Sequence, residues 1–169
     1  EAEILLKHPD IAGVSFVGST KVGQHIYGTA SAHGKRVQAL CEAKNHALVL
    51  RDCKVERTAR GIINAFCGCA GERCMALPAI VVENAVADEL IGYLKRFAAE
   101  MKLGPAVEKT THMGPVVNQG HKEFILNWIQ TGIDEGAELI MDGRNPEVPA
   151  GCENGFFVGP TIFDHVTED

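Results

Sequence analysis

The chain has 169 residues, of which 46% are hydrophobic and 22% are charged, and its formal net charge is −6. This composition is typical of a folded globular protein and excludes an intrinsically disordered chain. The acidic balance, with no stripe of Lys and Arg, argues against a nucleic-acid partner. No apolar run approaches the roughly 18 residues of a membrane helix, so a membrane partner is not expected.

The first part of the chain predicts a strand–turn–helix unit. Residues 1–13 indicate the end of a helix followed by a break at His8-Pro9-Asp10. The apolar run 11–17 predicts a buried strand, and 21–32 has apolar residues close to helical spacing. Gly18-Ser19-Thr20 lies between them. The helix N-terminus and the Ser19 hydroxyl could bind an anion such as a pyrophosphate. The alternative is that Ser19 or Thr20 only caps the helix.

The rest of the chain continues the alternation of strands and helices. Further strands are predicted at 35–39, 46–50, 79–82 and 137–141, an extended segment at 156–163, and helices at 58–70, 85–103 and 120–133. This order predicts an α/β fold with a mainly parallel, three-layer sheet and flanking helices. The polar stretch near residues 40–44 marks the expected boundary, which gives domains at 1–39 and 40–169.

Polar residues in the predicted loop before the strand at 46–50 leave two interpretations open. Glu42 and His46 could form an acid/base pair, or they could be solvated loop residues. In the third helix, Trp128 is expected to be a core residue rather than a platform for a ligand.

The six cysteines favour reduced thiols in a cytoplasmic protein, because the chain is larger than a small disulfide-rich domain and shows no secretion signal. The spacing of Cys67, Cys69 and Cys74 does not match a zinc knuckle, so no metal site is predicted. The chain begins at Glu1 as if inside a helix and stops inside a segment, which suggests a fragment.

Cys74 is the candidate nucleophile. It lies in Gly71-Glu72-Arg73-Cys74-Met75-Ala76, between a predicted helix and a predicted strand. Gly71 allows a tight backbone turn just before the sulfur, and Arg73 is expected to favour the thiolate. The alternative is that Cys74 is a small buried hydrophobe.

Four segments in order resemble the aldehyde dehydrogenase superfamily, and specifically its CoA-acylating methylmalonate-semialdehyde dehydrogenase branch. They are FVGST (16–20), AKNH (43–46), GERCMA (71–76) and GFFVGPTIFDHV (155–166). The resemblance implies an aldehyde dehydrogenase-like fold, truncated here. Residues 1–39 would be the end of the Rossmann-like NAD-binding domain, and 40–169 an incomplete catalytic domain.

The same resemblance implies a site and a reaction. Cys74 would be the catalytic nucleophile and its N–H an oxyanion donor, Gly18 and Ser19 would hold the pyrophosphate of NAD, and Val22 would line the adenine side. The expected reaction is NAD-dependent oxidation of methylmalonate or malonate semialdehyde through a thioester on Cys74. Coenzyme A would be the acyl acceptor.

Three positions depart from the family pattern. Leu40 stands where hydrolytic members carry the Glu that activates water, so slow hydrolysis and transfer to coenzyme A are expected. Glu42 and Ala43 replace two glycines at a place where the backbone passes close to the nicotinamide. Since residues that complete the family's site would lie outside this sequence, a truncated, non-catalytic module for binding or assembly is the alternative. A homo-oligomer is expected, because truncation would expose sheet edges.

Overall fold

The computed structural model of the chain describes residues 1–167. The chain divides into two compact units, Glu1–Ala43 and Lys44–Asp169. The strand that begins at Arg36 continues to Cys41, within the first unit. None of the helices within residues 1–167 is long and apolar enough to cross a lipid bilayer.

The first unit is a parallel strand–helix–strand unit preceded by a short helix. Its elements are α1 (Ala2–Lys7), β1 (Gly13–Gly18), α2 (Thr20–Ala32) and β2 (Arg36–Cys41). Strands β1 and β2 pair in parallel, from Gly13 opposite Arg36 to Gly18 opposite Cys41. The i, i+4 spacing of Ile26 and Ala30 places both on the buried face of α2. They pack with residues of α1, β1 and β2: Leu6, Val14, Phe16 and Val37.

Lys35 bonds the segment between α1 and β1. It is the buried charged residue that precedes β2, with only 8% of its surface exposed. Its ammonium donates to the carbonyl of His8 and, at 2.6 Å, to the carbonyl of Ile11. A buried ammonium requires such acceptors, and the two bonds fix the turn that leads into β1.

The second unit contains a parallel strand pair packed against two long helices. In chain order its elements are β3 (His46–Val49), α3 (Val55–Cys67), one turn of 3₁₀ helix (Gly68–Gly71), β4 (Ala79–Val82), α4 (Asn84–Ala99), α5 (Gln119–Asp134), β5 (Glu138–Met141) and β6 (Ile162–Asp164). Strands β3 and β4 pair in parallel from His46 opposite Ala79. One apolar cluster joins β3 to α3 and α4 through Val49, Ile62, Ile63, Cys67, Leu90, Leu94 and Phe97.

Strands β5 and β6 form an antiparallel pair whose connecting loop is closed at its base. The amide of Gly159 donates to the carbonyl of Gly143 at 2.8 Å, and the amide of Gly143 donates to Thr161 Oγ1 at 3.1 Å. A Cβ on Gly143 would lie 2.0 Å from the carbonyl oxygen of Gly159. Only glycine therefore permits the two backbones to approach this closely.

The predicted α/β class and predominantly parallel pairing are confirmed. Within residues 1–167 the strands pair as three two-stranded sheets, not as one continuous sheet. The third helix was placed correctly at Gln119–Asp134. The second was predicted too long: α4 ends at Ala99, and Leu103 instead forms a bridge with Met113. The expectation that Trp128 is buried was wrong, since 60% of its surface is exposed.

Candidate functional site

The backbone that presents Cys74 makes an unusual turn. Helix α3 ends at Cys67, and three consecutive residues then adopt left-handed backbone angles: Cys69 (φ 50°), Ala70 (φ 53°) and Gly71 (φ 78°). Only Gly71 takes this conformation without steric cost. The helix therefore stops three residues earlier than its apolar periodicity predicts, and the left-handed residues separate it from Cys74.

Cys74 is exposed, in contrast to the alternative of a small buried hydrophobe. It lies in a turn closed by the amide of Ala76, which donates to the carbonyl of Arg73 at 3.0 Å. Ala76 is buried, so it anchors the turn while the cysteine faces outward. Among the backbone hydrogen bonds of residues 1–167 outside helices and strands, none has the amide of Cys74 as its donor.

Asn45 holds this turn in place from the start of the second unit. Its side-chain amide donates to the carbonyl of Cys74 at 2.9 Å and to the carbonyl of Ala76 at 2.8 Å. One side chain immediately before β3 thus bridges both ends of the segment that carries the sulfur. Sequence reasoning missed this role. The AKNH segment drew attention to Asn45, but no local pattern pairs it with carbonyls about thirty residues away.

Glu72 ties the other side of the turn to α5. Its Oε1 accepts from the amide of Val117 at 3.3 Å and lies 3.1 Å from His121 Nε2. Asn118 caps α5 by accepting from the amide of His121 at 2.8 Å, as expected for an N-cap asparagine. The residue two before Cys74 is therefore fixed to the beginning of a well-capped helix, a second contact that sequence reasoning missed.

Arg73, which is expected from the sequence to favour the Cys74 thiolate, has its side chain against Cys69. Its Nε donates to Cys69 Sγ at 3.3 Å. A Cβ on Gly68 would lie 2.5 Å from its guanidinium, so the arginine covers that glycine. The Arg73 side chain thus contacts both Cys69 and Gly68.

The three neighbouring cysteines occupy different environments. Cys67 is buried in the core beneath α4, and burial raises its pKa to about 12, because the thiolate is poorly solvated there. Cys69 and Cys74 are exposed, and all six cysteines of the chain are free thiols. Across residues 1–167, no three His, Cys, Asp or Glu side chains form a group that could hold a metal ion.

The predicted cofactor residues lie together at the junction of β1 and α2. Gly18 ends β1, and Ser19 occupies the N-cap position without a side-chain capping bond. Val22 lies in the first turn of α2 and is 46% exposed. The first helical hydrogen bond runs from Gly23 to Ser19 at 2.9 Å. The amides before Gly23 therefore have no partner inside the helix, which suits an anion.

Glu42 already occupies part of this junction. Its Oε1 accepts from the amide of Thr20 at 3.1 Å, and its own amide donates to the carbonyl of Gly18 at 3.2 Å. Its backbone has φ 28°, in the region that favours glycine. In the second unit, His46 Nδ1 bonds the carbonyl of Lys44 at 2.9 Å.

The fold described above is found in a family of aldehyde-oxidising enzymes. The aldehyde dehydrogenase family pattern matches residues 1–169, and the chain belongs to that family. It is 48% identical over 164 residues to malonate-semialdehyde dehydrogenase 1 of Oceanobacillus iheyensis, with 97% of this chain and 33% of the relative covered.

Two solved structures are also similar to this chain. The methylmalonate-semialdehyde dehydrogenase of Oceanimonas doudoroffii superposes with a TM-score of 0.93 at 42% identity, covering 98% of this chain and 34% of that one. A Sinorhizobium meliloti protein assigned as a methylmalonate-semialdehyde dehydrogenase, in complex with NAD, superposes with a TM-score of 0.92 at 42% identity and the same coverage. The chain therefore spans about a third of the length of its relatives.

Proposed function

We propose that the protein to which this chain belongs oxidises malonate or methylmalonate semialdehyde with NAD and transfers the acyl group to coenzyme A. The observation that carries the proposal is Cys74, exposed in a turn that Asn45 and Glu72 fix on both sides. The substrate class is supported by the names of relatives at 42–49% identity.

In this proposal Cys74 performs covalent catalysis. Its thiolate attacks the aldehyde carbon, and the carbonyl oxygen becomes an alkoxide that the free Cys74 amide stabilises. Loss of hydride from the same carbon leaves a thioester on Cys74. Attack by the thiol of coenzyme A, whose proton passes to solvent, then releases acyl-CoA and returns the Cys74 sulfur as a thiolate.

The β1–α2 junction is the proposed place for the cofactor diphosphate. NAD, when bound, supplies the hydride acceptor. The donors at the junction suit a diphosphate: Ser19 offers a hydroxyl, and the first amides of α2 point out of the helix. Gly18 would allow close approach and Val22 would line the adenine side. In this assignment residues 1–39 end the Rossmann-like domain and residues 40–169 belong to the catalytic domain.

Leu40 supports coenzyme A rather than water as acyl acceptor. It is 54% exposed near the end of β2 and carries no group that could deprotonate water.

We further propose a cytoplasmic homo-oligomer. Its support is the set of exposed apolar residues on strands that each have one neighbour, namely Val17, Leu40, Leu48 and Val81.

The test is turnover by the full-length protein that contains this chain. Cys74→Ala should abolish NADH formation from malonate semialdehyde in the presence of coenzyme A, while Cys152→Ala, a thiol elsewhere in the second unit, should retain it. Undiminished turnover by Cys74→Ala would disprove its role as nucleophile. Equal rates with and without coenzyme A would indicate a hydrolytic enzyme. NAD titration that shows no binding, together with no turnover, would favour the alternative of a non-catalytic module.

A further inference from the structure

The carboxylate of Glu42 lies at the start of α2, where the proposed function places a diphosphate. Glu42 Oε1 accepts from the amide of Thr20, the first residue of the helix, at 3.1 Å. Helix α2 has 13 residues and no acidic residue in its first turn. The carboxylate that meets the positive end of this helix therefore comes from the segment after β2, 22 residues further along the chain.

The backbone of Glu42 supports this placement. Its amide donates to the carbonyl of Gly18 at 3.2 Å, which extends the β1–β2 pairing one residue beyond Cys41. Its φ of 28° turns the chain there. Both the main chain and the side chain of Glu42 thus bond to the junction, one on the Gly18 side and the other on the Thr20 side. Glycine would hold the same backbone angle with less strain and without the carboxylate.

We propose that Glu42 is an internal competitor of the cofactor diphosphate and lowers the affinity of this junction for NAD. The inference rests on the proposed function. One backbone N–H cannot donate fully to a carboxylate and to a phosphate, and two anions at one helix terminus repel each other. Glu42 therefore withdraws from Thr20 before a diphosphate takes its place, and binding is weakened by the cost of that withdrawal.

The variants Glu42→Gly and Glu42→Gln separate charge from backbone. Glutamine keeps the size of the side chain and an oxygen that can accept from Thr20, but it removes the charge. Glycine removes the competitor and relieves the backbone. Glu1→Gln is the matched control, because it removes the same charge from an exposed position in the same unit.

The first measurement is NAD affinity of the full-length protein by calorimetry. A hydrogen bond to a charged group corresponds to about tenfold or more in an equilibrium constant. We expect Glu42→Gly to bind NAD about tenfold more tightly than the wild type, Glu42→Gln to lie between them, and Glu1→Gln to match the wild type. Affinities of both Glu42 variants within about twofold of the wild type would overturn the proposal.

The second measurement separates this inference from the proposed function. In the 169-residue chain, inorganic pyrophosphate is titrated while the Thr20 amide resonance is followed by NMR. Glu42→Gly should shift Thr20 at a lower pyrophosphate concentration than the wild type does. If no variant binds NAD but this difference remains, the proposed function fails and the competition at Thr20 stands. If pyrophosphate acts equally on both chains, the competition is wrong even where NAD binds.

Discussion

Replacing Asn45 with Ala should loosen the turn that carries Cys74 and destabilise the second unit. The substitution removes two hydrogen bonds, of 2.9 Å to the carbonyl of Cys74 and 2.8 Å to the carbonyl of Ala76. A neutral hydrogen bond contributes roughly 0.5–1.5 kcal/mol net, so the pair contributes about 1–3 kcal/mol. The carbonyl of Cys74 can be rehydrated because its residue is exposed, whereas that of buried Ala76 is less accessible. We therefore expect a loss of about 2 kcal/mol.

The assay is urea unfolding followed by Trp128 fluorescence. The chain has one tryptophan, and it lies in the second unit, so its signal reports on that unit. Asn45→Asp should be at least as destabilising, because a carboxylate would face two carbonyl oxygens without a proton to donate. Asn127→Ala, on the exposed side of α5, is the control and should change the unfolding free energy by less than about 0.5 kcal/mol. An Asn45→Ala variant as stable as this control would refute the reasoning.

Three further predictions concern burial and backbone conformation. Burial raises the pKa of Cys67 from about 9 to about 12. The contribution of this thiol to stability should therefore be fully present below pH 9 and should fall as the pH rises toward 12. In urea titrations, Cys67→Ala should make the loss of stability over this pH range smaller. Lys35→Met should increase hydrogen exchange in the first unit, since two carbonyls lose their donor, at a cost of about 1–3 kcal/mol. Ala70→Gly should leave the melting temperature unchanged or raise it, because φ is 53° at this residue. Ala59→Gly, at a buried position of α3, should lower the melting temperature. Equal decreases in the two variants would contradict the left-handed conformation of Ala70.

Elements whose cause is local could be predicted from the sequence. Strand β4 lies at Ala79–Val82, where its apolar run placed it, and α2 begins one residue before the predicted position. The boundaries that failed depend on distant partners. Strand β2 includes Leu40 and Cys41 because they pair with Val17 and Gly18, although their own neighbourhood indicates a loop.

The candidate site also has features that could be predicted from local sequence and features that could not. Cys74 and the β1–α2 junction were identified from short motifs, because those motifs are contiguous in sequence. The contacts that fix the site join residues 22 to 45 positions apart: Glu42 to Thr20, Asn45 to Cys74, and Glu72 to Val117. No sequence periodicity predicts contacts between residues so far apart in the chain. The contact of the Arg73 side chain with Cys69 likewise depends on the left-handed backbone angles of Cys69 and Ala70, which composition does not predict.

The paired glycines at the base of the β5–β6 loop have a consequence for chain-length variation. Because Gly143 and Gly159 clamp the loop where it leaves and rejoins the sheet, the ends of the loop are held together whatever lies between them. Closing a longer loop costs only about 0.6 kcal/mol for each doubling of its length. We therefore expect the exposed turn at residues 150–151 to accept an inserted peptide, such as an affinity tag or a fluorophore-binding sequence, without a change in the register of β5 and β6.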